Sequence, residues 1–130
     1  MAVKRMFSKN VTNTDRLQSL PLSAQALYFH LGMNADDDGF VGNPLSITRC
    51  IGASESDLGV LVDNDFLIRF QNGVYLIKDW HVNNYIRPDR YQETTYTDLI
   101  GAVYEDDGGR YQFGIPPDIP VVDPDQVRTD

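Results

Sequence analysis

The sequence predicts an α+β fold in which a helix, a short strand and two further helices precede a two-stranded hairpin. Three observations carry that expectation. Apolar residues recur at helical spacing from Leu20 to Leu31. Asn43-Pro44 and Ser54-Glu-Ser-Asp57 are two helix starts with a glycine-closed turn between them. Apolar and polar residues from Asp65 to Trp80 then flank Asn72-Gly73, a dipeptide favoured in two-residue type I′ turns because both central positions need positive φ.

Residues 1–16 are polar and basic, with Lys4, Arg5, Lys9 and Arg16, and read as an extended N-terminal arm. A short helical turn follows near Asp15–Leu20, and Pro21 ends it because proline disfavours a helical residue before it. From Ser23, a plausible N-cap, to about Asn34 the spacing of Leu20, Ala24, Leu27 and Leu31 predicts a helix, with Tyr28 beside that stripe. Asp36-Asp37-Asp38-Gly39 ends this helix, and Gly39–Val41 reads as one very short strand. The aspartate run lacks the alternating ligands, the sixth-position glycine and the twelfth-position glutamate of a calcium loop, so it reads as a polar turn.

Asn43-Pro44 opens the next helix, with proline at a position where a missing N–H costs nothing. Ile47, Cys50 and Ile51 share one face of it, and Gly52 closes it. With no histidine nearby in sequence, Cys50 reads as a buried small hydrophobe rather than a nucleophile. Ser54 to Asp57 has capping-box spacing, and Leu58, Leu61 and Val62 form the inner face of the third helix. Two helices joined by a tight glycine-containing turn make a helix-turn-helix. A two-residue hairpin loop would place Phe70 opposite Tyr75, Arg69 opposite Leu76, Ile68 opposite Ile77 and Leu67 opposite Lys78. One face would then carry Phe66, Ile68, Phe70, Tyr75 and Ile77, and the other Arg69 and Lys78 with Leu67 and Leu76. This order is that of a winged helix-turn-helix over residues 17–91, with Asn72-Gly73 at the tip of the wing.

Beyond Trp80, aromatic, basic and amide residues interleave from His81 to Tyr91. Tyr96, Leu99, Ile100 and Val103 have the spacing of a weak helix, Glu105–Gly109 is a turn, and Tyr111–Phe113 could form a short strand. Residues 92–113 therefore read as a C-terminal extension packing on the domain, and 114–130 as an acidic, proline-rich tail or linker.

A chain of 130 residues is long enough for one domain with a modest core. Its single cysteine excludes a disulfide framework and any paired-cysteine metal motif, which fits a reducing cytoplasm. Nothing in it has the length of a signal peptide's apolar run or of a membrane span. The net charge of −8 is unevenly spread: residues 1–33 carry +3, 34–66 carry −6, 67–91 carry +2 and 92–130 carry −7. The basic blocks are candidates for nucleic-acid contact, and solvated surface charge is their bland alternative.

No catalytic pattern is present. His30 and His81 stand in unrelated contexts, and no Ser/His/Asp, phosphate-loop or zinc-ligand spacing occurs, so a non-enzyme without metal or cofactor is expected. In a helix-turn-helix the second helix normally enters the major groove. Its outward positions here are Glu55, Ser56, Gly59, Val60, Asp63 and Asn64, with no lysine or arginine. Phosphate neutralisation supplies most non-specific affinity, so DNA contact is expected instead from Lys4, Arg5 and Lys9, from the wing residues Arg69, Asn72 and Lys78, and from Arg87 and Arg90. Tyr85 and Tyr91 could stack on unpaired bases. Alternatively, Tyr85, Ile86 and Tyr91 pack back on the hairpin and the arginines are solvated. A protein–protein role is the second class, since an acidic helix beside basic arms suits self-association by charge complementarity.

The strings Arg5-Met-Phe-Ser-Lys-Asn, Leu20 to Val41, Ile51-Gly-Ala-Ser54, Val74–Trp80 and Asn83-Asn-Tyr-Ile-Arg-Pro-Asp-Arg-Tyr91 resemble the N-terminal domain of phage replisome organisers. These are DnaD-like replication-initiation proteins of phages infecting Gram-positive bacteria. The likeness spans roughly residues 4–113. It implies a winged-helix domain in the bacterial host cytoplasm that oligomerises and helps bind the phage origin or remodel DNA, single- or double-stranded. It also implies work with a replicative helicase or helicase loader, usually through a second, C-terminal domain, whereas this chain ends in its acidic tail. A winged-helix transcriptional regulator, or a pure assembly module without DNA contact, are the other readings of the same elements.

Overall fold

The computed structural model describes residues 3–115. Two four-residue helices, α1 (Lys9–Thr12) and α2 (Asp15–Gln18), open the chain. Ser8 and Thr14 cap them, accepting hydrogen bonds from the N–H groups of Asn10 and Leu17. The N-terminal segment is therefore not the extended arm expected. Val11 and Leu17 enter the core, and Phe7 meets the edge of Phe29 at a centroid separation of 5.0 Å. Apolar residues this sparse leave no periodic signal, so only their burial reveals the packing.

Helix α3 (Leu22–Asn34) buries Ala24, Leu27, Tyr28 and Leu31, the stripe its spacing predicts. Its N-cap is Pro21 rather than Ser23, whose hydroxyl is instead bonded to Asp57. Strand β1 (Phe40–Val41) leads to α4 (Pro44–Cys50) and α5 (Glu55–Asp63). Gly52, at φ +79°, turns the chain between these two helices. The Ser54 N–H donates to Asp57 Oδ2 at 3.0 Å, and Ser23 Oγ donates to Asp57 Oδ1 at 2.8 Å. One carboxylate thus caps α5 and ties it to α3. Cys50 is exposed, contrary to expectation. The buried face of α4 runs through Pro44, Ile47 and Thr48 instead, and the Thr48 hydroxyl is satisfied by donating to the Pro44 carbonyl at 2.7 Å.

Strands β2 (Leu67–Arg69) and β3 (Tyr75–Ile77) join β1 in an antiparallel sheet of order β1-β3-β2. Leu67 pairs with Ile77, Ile68 with Leu76 and Arg69 with Tyr75, one residue away from the expected register. The loop holds three residues, not two: the Phe70 N–H donates to the Val74 carbonyl at 2.9 Å, and the Gly73 N–H to the Phe70 carbonyl at 3.0 Å. Within it only Gly73, at φ +84°, is left-handed. That is the three-residue loop in which a type I turn precedes a left-handed glycine. Because side chains alternate, the slip regroups both faces. Ile68, Leu76, Phe70 and Val74 now share one side, and Leu67, Ile77, Arg69 and Tyr75 the other. Lys78 falls on the side opposite Arg69, so the expected basic face does not exist.

After β3 come α6 (Trp80–Asn83), α7 (Thr97–Ile100) and a second antiparallel pair, β4 (Val103–Glu105) with β5 (Tyr111–Phe113). Val103 opens a strand rather than extending the weak helix. This C-terminal segment lies on the sheet: Tyr96 packs on Phe40, Phe113 on Phe70, and the Tyr111 N–H donates to the Lys78 carbonyl at 2.9 Å. Covered from both sides, Tyr75, Leu76 and Ile77 are all buried. Of the expected acidic tail, residues 116–130 lie outside the described residues. Among the described residues no helix is long and apolar enough to cross a membrane.

Candidate nucleic-acid interface

The aspartate turn after α3 is a junction between distant segments. Asp36 accepts from the N–H groups of Asp38 and Phe40 and from the Thr94 hydroxyl. Asp37 pairs with Arg5 at 3.0 Å and accepts the Gln92 N–H at 2.9 Å. Asp38, buried, accepts the Tyr91 hydroxyl and the Thr94 N–H. Every carboxylate therefore has protein partners. No group of three or more His, Cys, Asp or Glu among the described residues is placed to hold a metal ion.

Two buried asparagines clamp the N-terminal segment in place. Asn84 Oδ1 accepts the Met6 N–H and Asn83 Oδ1 the Ser8 N–H, both at 2.8 Å, while Asn83 Nδ2 donates to the Tyr28 hydroxyl. Sequence patterning cannot find such residues, because their partners lie more than seventy positions away.

Of the nine candidate DNA contacts Lys4, Arg5, Lys9, Arg69, Asn72, Lys78, Arg87, Arg90 and Tyr91, two are interior. Arg5, its side chain 3% exposed, is held by Asp37 and the Ala35 carbonyl, and its Cζ lies 5.1 Å from the centre of the Trp80 ring system. Lys78, 7% exposed, donates from Nζ to Asp65 and to Gln112 Oε1. Neither is free to meet phosphate. The Asp65 carboxyl is raised by burial, but hydrogen bonds from Lys78 and Arg110 outweigh this and hold it below the usual carboxylate range.

The remaining seven are at the surface. Arg69 and Asn72 are exposed at the hairpin end, where Arg69 lines a shallow groove with Leu45 of α4 and Glu55 of α5. Lys9 is exposed on α1. Lys4, Arg87, Arg90 and Tyr91 line a second groove between the N-terminal segment and residues 84–92. Tyr85, 71% exposed, stands on this groove as well. Arg87 is bonded to Asp89 by two hydrogen bonds of 3.1 Å, whereas Lys4 and Arg90 make no ion pair among the described residues. Tyr91 is anchored by its hydroxyl to Asp38. Burial, then that hydrogen bond and charge, push its pKa above that of a free phenol, so the hydroxyl remains a donor. Tyr85 projects outward, whereas Tyr91, 42% exposed, has its hydroxyl tied to the aspartate turn; neither makes a ring contact with the hairpin aromatics.

Along α5, Glu55 and Asp63 are exposed and no lysine or arginine occurs. Lys4, Arg87 and Arg90 are thus the exposed cations that share one groove, while Lys9, Arg49 and Arg69 are exposed singly elsewhere. Compared with family models, curated proteins and solved structures, the chain matches none.

Proposed function

We propose that this chain is a winged-helix module of a phage DNA-replication initiation protein, non-enzymatic, that binds DNA and self-associates at the origin. The element order and the sheet order β1-β3-β2 support the winged-helix reading, with α4 and α5 as the helix-turn-helix pair and Gln71–Gly73 as the wing tip. The observation that carries DNA binding is the groove bearing Lys4, Arg87, Arg90 and Tyr85 in an otherwise acidic protein. An acidic α5 disfavours the transcriptional-regulator reading, in which that helix would enter the major groove. A helicase or helicase loader is the partner class that the family resemblance implies for the full replication step.

Fluorescence anisotropy with labelled DNA across a salt series tests the reading. Binding that weakens steeply with salt, and weakens further in Arg87→Ala/Arg90→Ala, is expected. No binding at low salt removes the DNA role.

A further inference from the structure

The groove of Lys4, Arg87 and Arg90 has features that a duplex backbone does not need. Tyr85 offers an aromatic face that is 71% exposed and makes no ring contact with any described aromatic residue. Met6, 53% exposed, lies in the same groove and adds apolar surface. The buried side-chain nitrogens that lack an acceptor among the described residues are Arg5 Nε, Arg5 Nη1 and Asn84 Nδ2. All three are donors, and both residues line this groove. The free positive charge of the groove is that of Lys4 and Arg90, which make no ion pair among the described residues. Asp37 and Asp89, the acidic residues of the groove, are already paired with Arg5 and Arg87. The result is a cleft that favours acceptor-rich anions and carries apolar, aromatic surface for a planar group.

We infer that this groove binds single-stranded nucleic acid, with phosphates on Lys4 and Arg90 and an unpaired base stacked on Tyr85. The inference rests on the DNA-binding reading above and specifies its substrate. In a duplex the base faces are stacked on one another and cannot reach Tyr85. In a single strand they are free, and aromatic stacking is tolerant of base identity. Two phosphate contacts to a single strand give a log–log salt slope of about −1.4, reduced by about 0.7 for each cation removed.

The test compares a 20-nucleotide oligo-dT with a duplex of equal length, by anisotropy, for the full chain and for Tyr85→Ala, Tyr85→Phe and Lys4→Ala/Arg90→Ala. The expected result is tighter binding of oligo-dT than of duplex. Tyr85→Ala should weaken oligo-dT binding about tenfold while leaving the duplex unchanged, and Tyr85→Phe should retain it. Lys4→Ala/Arg90→Ala should flatten the salt slope. Circular dichroism and Trp80 emission establish that each variant is folded. Equal or tighter duplex binding, or oligo-dT binding indifferent to Tyr85→Ala, overturns the single-strand inference and leaves DNA binding standing. Binding of neither probe overturns both.

Discussion

Arg69 and Lys78 are carried by the same hairpin, yet Arg69 is exposed and Lys78 is 7% exposed. Burying an ammonium is costly unless it is paired, and Asp65 with Gln112 supplies the pairing. Lys78→Ala is expected to destabilise the fold by about 1–3 kcal/mol in urea titration, and Lys78→Met by less because it keeps the packing of the stem. DNA affinity should not change in either variant, since the ammonium faces the interior. Asp57 gives a second residue-scale outcome. The Ser54 N–H, with the hydroxyls of Ser23 and Ser54, outweighs burial and holds its carboxyl below the usual range. An unfolded aspartate titrates near pH 4. Between that pH and the lower folded value the unfolded chain binds more protons, so stability falls as pH drops through this window. Asp57→Asn should flatten that acid limb in urea midpoints measured from pH 5 to pH 2.

At the scale of elements, two glycines separate conformational need from space. Both are left-handed, Gly39 at φ +95° and Gly52 at φ +79°. A Cβ on Gly39 would collide with the Trp80 indole, whereas one on Gly52 meets nothing. Gly52→Ala is therefore expected to cost about 1–2 kcal/mol for the left-handed conformation alone. Gly39→Ala should cost about 3 kcal/mol or more, because Trp80 fills the core and cannot yield. Thermal or urea unfolding of the two variants orders them directly. The clamp on the N-terminal segment acts at this scale too. Asn83→Ala strands the Ser8 N–H and the Tyr28 hydroxyl, and a loss of about 2–4 kcal/mol is expected, with earlier proteolytic cleavage near residues 3–8.

For the molecule as a whole, charge is segregated. The acidic majority includes the exposed residues of α5, while Lys4, Arg87 and Arg90 share one groove and Arg69 stands at the hairpin end. Complementary patches of this kind favour association between copies, and such association is screened by salt. Light scattering should return a mass above that of one chain at low ionic strength, falling toward 14.7 kDa as salt rises. Phe113 and Ile115, 67% and 62% exposed, offer apolar area beside the sheet. An assembly held mainly by them would resist salt, so the direction of the salt effect identifies the interface.

Composition, caps and periodicity were enough to read the α+β class, the order of elements from α2 through the hairpin and the acidic character of α5. These are local properties: a capping carboxylate three residues away, a stripe repeating every turn, a glycine closing a helix. The fate of each cation was not local. One extra residue in the hairpin loop turned Lys78 inward, and Asp37 and Trp80, more than thirty positions from Arg5, drew that arginine into the interior. Tyr91 was claimed by Asp38, fifty-three positions away. Sequence alone therefore determined which residues could carry a basic surface; tertiary packing decided which of them stay exposed, because buried charges must be paired and their partners are chosen by the fold.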